Sequence, residues 1–481
     1  MKVKILSEPL LEFGNKNSLL CPKEGIRRFT PYDMGLVRPD SIKVGIIGKS
    51  DSVDKIIEWL EKGRHFVEAK PSKQPKLFPS FMGFQEHHGF CSKLVYDDSY
   101  IRKVRNSEFD EIYKSGSEGE IIEKAVELYL SDIRFLSKNK SPDVILCVIP
   151  ESFVKQLEPK AGKQEGEEDE EDFAEYDDED DDSIEIENNF RRMLKARAMG
   201  YHIPIQIVRD RIVEPSGEMQ DEASIAWNFY TALYYKASGT PWSLVKSPSS
   251  IVSYAGISFY KSRDRSTTQT SIAQIFNELG KGVILRGEDP IDIKKYDPIP
   301  HLSDEQAFNL LDRALREYRE AIDTFPQRLV IHKTSNYTEG ELAGFSQAAN
   351  KNNISGLDLV TIHQRTGFRL FRDKRYPPLR GSMFSFDEKN HLLYTRGSVP
   401  YFETYPGKYI PNPLQIRFYK NDESAETVCN EILGLTKMNW NNTQFDRRMP
   451  ITIECARKVG DILKYLPLED QDIELRYSFY T

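Results

Sequence analysis

Five polar side chains near the middle of the chain have the types and spacing to hold an anion. Arg191 and Lys195 stand four residues apart, so a helix stacks them on one face, with Phe190, Met193 and Leu194 on a neighbouring apolar face. Gly200 is placed to end that helix. The short β-branched run from Ile203 to Val208 reads as a strand that sets Gln206 beside whatever the helix presents. A second helix, about 222–235, carries Asn228 and closes on Lys236 just before the stop signals Gly239 and Pro241. Two cations, a long amide and a further lysine converging on one point suit a small, doubly charged anion such as a terminal nucleic-acid phosphate, which is best held by several charge-assisted donors at once. Taken singly, the helical residues among them read as parts of the solvated faces of two surface helices.

The elements that must position them alternate. Residues 119–138 have the period of an amphipathic helix, and the unbroken apolar run 143–149 is that of a parallel strand buried on both faces. Helix, strand, the Arg191 helix, the Gln206 strand and the Lys236 helix together give an α/β unit without the glycine fingerprint of dinucleotide-binding proteins. Upstream, a strand over 41–50 runs into Gly48-Lys49-Ser50. A phosphate-cradling P-loop needs glycine at position 43, which is lysine. His87 and His88 are adjacent and have no third ligand at metal-binding spacing. Beyond Trp242 the chain turns strand-rich: 250–260, 282–287, 327–333 and 357–363 read as strands, 303–322 and 339–350 as helices.

Composition bounds the classes. The chain has 481 residues, room for two or three domains. No stretch is apolar for eighteen residues, and five scattered cysteines form neither a disulfide framework nor a zinc motif, so the expected location is the reducing cytoplasm. The net charge of −9 comes from one segment: between Gln164 and Asp182 lie fourteen acidic residues and no basic one. The 61 acidic residues left (75 less those 14) stand against 66 basic ones, so the remainder is mildly basic and compatible with a nucleic-acid channel. Like charges at that density repel and bury nothing, which predicts a disordered acidic insertion over about 160–184.

The pair Arg191/Lys195, the Gln eleven residues after Lys195, and Lys236 closing the helix that carries Asn228 before Gly239-Thr-Pro-Trp242 resemble the guide 5′-phosphate pocket of the MID domain in Argonaute proteins. The segment Leu77–Phe84 is similar to the linker that precedes MID in short prokaryotic Argonautes. The later strands and the closing segments 435–443, 448–453 and 456–459 are similar to a PIWI domain. The resemblance implies an α/β protein: a small β-rich N-terminal linker region (1–100), a Rossmann-like MID domain (101–245) and an RNase H-like PIWI domain (246–481).

It also implies what the PIWI site lacks. An RNase H-like nuclease holds two divalent metals with several carboxylates. The matching positions here are Ser258 in Gly256-Ile257-Ser258, Thr334 after His332-Lys333, and Pro413 in Pro411-Asn-Pro-Leu414, none of them a carboxylate. The alternative is a catalytically active endonuclease with a rearranged carboxylate set that uses Asp264; another is an unrelated α/β ligand-binding protein. Lys333, Arg365 and Arg369, interleaved with Phe368 and Phe371, are expected to line a nucleic-acid groove. In the family, the C-terminal carboxylate can share a Mg²⁺ with the guide phosphate, which would assign that role to Thr481. The implied partners are a guide RNA, single-stranded target DNA and an APAZ-domain effector protein (TIR, sirtuin-like or nuclease), joined as a heterodimer in a prokaryotic antiviral system that acts by abortive infection.

Overall fold

The computed structural model describes residues 2–114, 116–157, 185–215, 220–245, 251–263, 266–277, 284–287, 290–291, 293, 299–364, 366–405, 407, 409–467 and 474–481. The acidic insertion, Asp264 and Arg365 lie outside them. Among the described residues no helix is long and apolar enough to cross a membrane.

The first α/β unit is a five-stranded parallel sheet. Its order is Lys93–Val95, Ser41–Lys49, Val144–Ile149, Ile205–Arg209, with Ile101–Val104 pairing the far half of Ser41–Lys49. Val144–Ile149 is buried along its whole length, as a strand must be when helices cover both faces. Glu118–Asn139 begins at a Ser117/Glu120 capping box that satisfies otherwise orphan N–H groups. The helix Glu185–Ala198 buries Phe190, Met193 and Leu194, the apolar face expected of it. Its end differs from expectation: a 3-10 turn over Met199–Tyr201 follows, and His202, not Gly200, takes the left-handed conformation, with φ 56°.

The boundary at residue 100 also needs correction. Ser41–Lys49 is a central strand of this sheet, so the unit begins near residue 41 and takes in most of the segment assigned to a linker. The parallel pairing of Ser41–Lys49 with Val144–Ile149 spans about a hundred residues, and local periodicity carries no record of it.

The second unit is a nine-stranded mixed sheet. Its order is Lys2–Ile5, Ser382–Ser385, Asn390–Leu393, Leu414–Lys420, Gly356–His363, Arg328–Lys333, Val252–Lys261, Thr268–Asn277, Leu285–Arg286. The three middle strands from Gly356–His363 to Val252–Lys261 run parallel, and the outer pairs are antiparallel. On one face Asp304–Ile322 and Glu339–Lys351 pack Leu311, Leu315 and Phe345 against Ile257, Leu329 and Ile331. The other face carries Ala425–Leu435 and Ile451–Leu463, whose Ile432, Ile453 and Ala456 join a core with Val330, Val360 and Ile416.

The first turn of Ile451–Leu463 meets the sheet at Thr452. The register pairs Gly256 with His332, and Thr452 in the first turn of the helix touches both. Its main-chain oxygen would lie 2.1 Å from a Cβ on Gly256, and its hydroxyl is 2.9 Å from Nδ1 of His332. Glycine is required there so that helix and strand backbones can meet. His332 is fully buried, which pushes its pKa down to about 3 and keeps the imidazole neutral.

Two outcomes are expected. Gly256→Ala forces the helix off the strand and costs about 1–3 kcal/mol, the usual range for overpacking, read as a lower denaturation midpoint; an unchanged midpoint would show the contact to be slack. Because His332 protonates more readily unfolded, its contribution to stability is present above the unfolded value of about 6.5 and is lost as pH falls toward 3. Urea midpoints over that window should therefore fall less steeply in His332→Gln than in wild type.

Candidate nucleic-acid interface

The ends of three segments meet at Lys236. The helix Glu222–Lys236 delivers it, fully enclosed, to the junction of the two units. Its Nζ donates to the Ile205 carbonyl at 3.1 Å, to the main-chain oxygen of Thr481 and to the Thr481 hydroxyl at 3.1 Å. Thr481 is held in place by the buried turn Tyr477–Phe479 and by Tyr480, whose hydroxyl donates to Glu474.

Burial pushes the Lys236 amine well below its ordinary value, and the positive charges of Lys195, Arg191 and Lys458 push it further down. The helix Glu185–Ala198 presents the first two, and Ile451–Leu463 presents Lys458 from the second unit. Gln206 lies next to Ile205 on its strand; its Oε1 is buried without a hydrogen-bond partner, and its Nε2 makes one long contact of 3.5 Å. A buried amide left unsatisfied stands ready for a further polar group. The structure thus sets Gln206 one residue beyond the Ile205 carbonyl that Lys236 holds, brings Arg191, Lys195 and Lys236 into one neighbourhood, and adds Lys458. That residue stands more than two hundred positions away in sequence and shows no local signal beyond being a basic residue of a helix.

Asn228 does not join them. Its side-chain oxygen accepts from the Thr443 amide at 3.0 Å and hydroxyl at 2.9 Å, and its nitrogen donates to Gln220 at 3.0 Å. The two turns of helix between Asn228 and Lys236 put it on the loop that follows Ala425–Leu435, where it ties the two units together.

Between the units runs a cleft of about 1220 Å³. Arg192, Lys261, Arg263, Arg457 and Lys464 line it, against two carboxylates, Glu118 and Asp461. Asp461 is taken up by Arg192 at 3.3 Å and Lys464 at 3.7 Å. Such a cleft favours a polyanion.

Its floor contains Ser258 and Thr334, which the parallel register makes neighbours, since Ile257 pairs with Lys333. His363 and Gln415, opposite one another on the next strand pair, complete the floor. The sequence reading missed both. Burial and Arg417 lower the His363 pKa, so its ring is neutral near pH 7. Pro413 is buried and does not line the cleft; Gln415, two residues on, occupies that edge. Among the described residues no group of three or more His, Cys, Asp or Glu side chains could hold a metal ion.

Two expected groove cations lie elsewhere. Lys333 is fully buried in a strand with both faces covered, ion-paired to the equally buried Glu341, with its Nζ 5.5 Å and 5.0 Å from the ring centres of Phe259 and Tyr337. A cation in that setting needs an internal counter-charge, so it is no phosphate contact. Arg328 on the same strand solves the same problem with Asp358 and Glu431, each at 2.6 Å. Arg369 is exposed on the 366–376 loop, donating to the Thr366 and Phe368 carbonyls, and does not line the cleft.

No family model matches the chain. In sequence it is similar to the Argonaute protein of Aquifex aeolicus (strain VF5), with 21% identity over 269 residues, 54% of this chain and 34% of that protein. In structure it is similar to Clostridium butyricum Argonaute bound to a guide DNA and a 19-mer target DNA, at TM-score 0.66 and 15% identity, covering 98% of this chain and 54% of that one. The A. aeolicus Argonaute structure matches at TM-score 0.57 and 16% identity, over 98% of this chain and 54% of that one. Drosophila Piwi matches at TM-score 0.57 and 12% identity, over 99% and 56%. The chain therefore spans about half the length of these solved relatives. In sequence the chain is similar to an Argonaute over 54% of its length, and it shares the fold of the solved Argonautes over 98% of it.

Proposed function

We propose that the chain is a short prokaryotic Argonaute of MID and PIWI domains that binds guide and target without cutting. In this reading a guide RNA is captured by its 5′-phosphate and paired with single-stranded DNA of an invader. The pairing is then signalled to an APAZ-domain effector in a heterodimer, which drives abortive infection. The observation that carries the guide-binding part is the setting of Lys236: a buried amine whose strongest electrostatic neighbours, Lys195, Arg191 and Lys458, are all cations. A phosphate dianion is the ligand that would turn this mutual repulsion into attraction. The C. butyricum relative, whose structure holds a guide and a target, supports the same reading, as does the basic cleft, which suits a duplex held by its backbone while base pairing reads its sequence. The effector part rests on the family resemblance.

Binding without cleavage is supported by the cleft floor. Ser258 and Thr334 are neighbours at the point where the fold would place metal-bridging carboxylates, and neutral hydroxyls are poor substitutes. A resident Mg²⁺ at Thr481 fits the present residues poorly, because the Thr481 oxygen already accepts from Lys236 and the surrounding charges are positive.

The test is the affinity of 5′-phosphorylated against 5′-hydroxyl RNA at one fixed salt concentration. Wild type is expected to prefer the phosphate, and Lys195→Ala to lose about 1.5–3 kcal/mol of affinity for it, the worth of a hydrogen bond to a charged group. The variant should bind the 5′-hydroxyl guide nearly as wild type does. Equal wild-type affinity for the two guides, or metal-dependent cleavage of a complementary DNA, would contradict the proposal.

A further inference from the structure

The nine-stranded sheet ends on Lys2–Ile5, whose one strand neighbour among the described residues is Ser382–Ser385. The outward main-chain groups of this strand have no ladder partner there, and all four of its residues are exposed. An open edge of this kind is a template for another strand, and proteins ordinarily cover or blunt it. Alternation puts Val3 and Ile5 on one face and Lys2 and Lys4 on the other. Val3 and Ile5 are each 58% exposed. Val3 pairs with Phe384, so the two share a face. Just beyond that strand the Phe386 ring packs 5.6 Å from Phe368; Phe386 is 43% exposed, Phe368 53% and nearby Phe371 74%. Exposed apolar side chains gathered beside an open edge mark an interaction surface.

We propose that Lys2–Ile5 docks an extended segment of a different protein, one whose residues alternate acidic and apolar, as the next strand of the sheet. Main-chain hydrogen bonds would give affinity common to any strand, and cross-strand pairs would choose among strands. Acidic residues meet Lys2 and Lys4; apolar residues meet Val3 and Ile5. Lys4 already pairs with Glu426, which shows that its face accepts a carboxylate.

A second copy of this chain fits worse. Antiparallel pairing of Val3 with Val3 sets Lys2 against Lys4, and a shift of one residue sets lysine against apolar neighbours. The strand shares no residue with the cleft or with the Lys236 cluster, so the inference does not rest on guide capture.

The experiment uses the full chain and a synthetic peptide alternating glutamate and valine, with a scrambled peptide of the same composition and a lysine–valine peptide as controls. Binding is read by fluorescence anisotropy, and its place by hydrogen exchange. The expected result is slowed exchange at the amides of residues 2–5 with the alternating acidic peptide. Affinity should fall at least about tenfold in Val3→Asp/Ile5→Asp and in Lys2→Glu/Lys4→Glu, with the thermal midpoint unchanged in the first, whose two residues are exposed, and lowered only slightly in the second, which loses the exposed Lys4–Glu426 pair. The charge-reversed variant should then prefer the lysine–valine peptide. Unchanged exchange at residues 2–5, equal binding of the scrambled peptide, or sedimentation showing two copies joined through this strand would overturn the proposal.

Discussion

A lysine amine stripped of water must be given oxygen atoms to bond, at a desolvation cost of several kcal/mol. Lys236 meets that constraint by drawing in the ends of two other segments: the carbonyl of Ile205 from the first sheet and Thr481 from the end of the second unit. The junction between the two α/β units is organised around this contact. It leaves the charge only partly answered, because Lys195, Arg191 and Lys458 surround the same point and each makes the protonated amine less favourable. Cations gathered in this way favour an anion among them.

One helix links that junction to the rest of the molecule. Ile451–Leu463 is pinned at its first turn, where Thr452 meets Gly256 and His332; it sends Lys458 to the cation cluster and then Asp461 and Lys464 to the cleft. Arg192, next to Arg191 on the opposing helix, reaches across to Asp461. The Lys236 cluster and the walls of the cleft therefore share two helices. An anion at the cluster would change the charge that both helices feel, a physical route by which the cluster and the cleft can be coupled.

Much of this was legible in the sequence wherever the signal was local. The 3.6-residue period around Arg191, the stop signals after Lys236, and the apolar run at 143–149 gave three elements of the site close to their observed bounds. Positions set by long-range pairing were not legible. Ser41–Lys49 reads as a strand, but nothing near it says that its partners include Val144–Ile149. Lys333 follows an apolar run and was read as a strand-end cation facing a groove. Its neutraliser is Glu341, a residue of the helix expected over 339–350, and only the packed helix shows that the two meet. Asn228 failed for a geometric reason: two turns above Lys236, it belongs to a different contact. Lys458, which completes the cluster, comes from the far end of the chain.

The most telling measurement is the number of protons taken up when a 5′-phosphorylated guide binds, from calorimetry in buffers of different ionisation heat at a series of pH values below the ordinary lysine range. A bound phosphate dianion should raise the lowered Lys236 pKa, so binding should take up protons between the free and bound values, and the uptake should vanish with a 5′-hydroxyl guide and in Lys236→Met. Phosphate-dependent binding with no proton uptake, or with uptake that persists in Lys236→Met, would show that the cations around Lys236 are not where the guide is held.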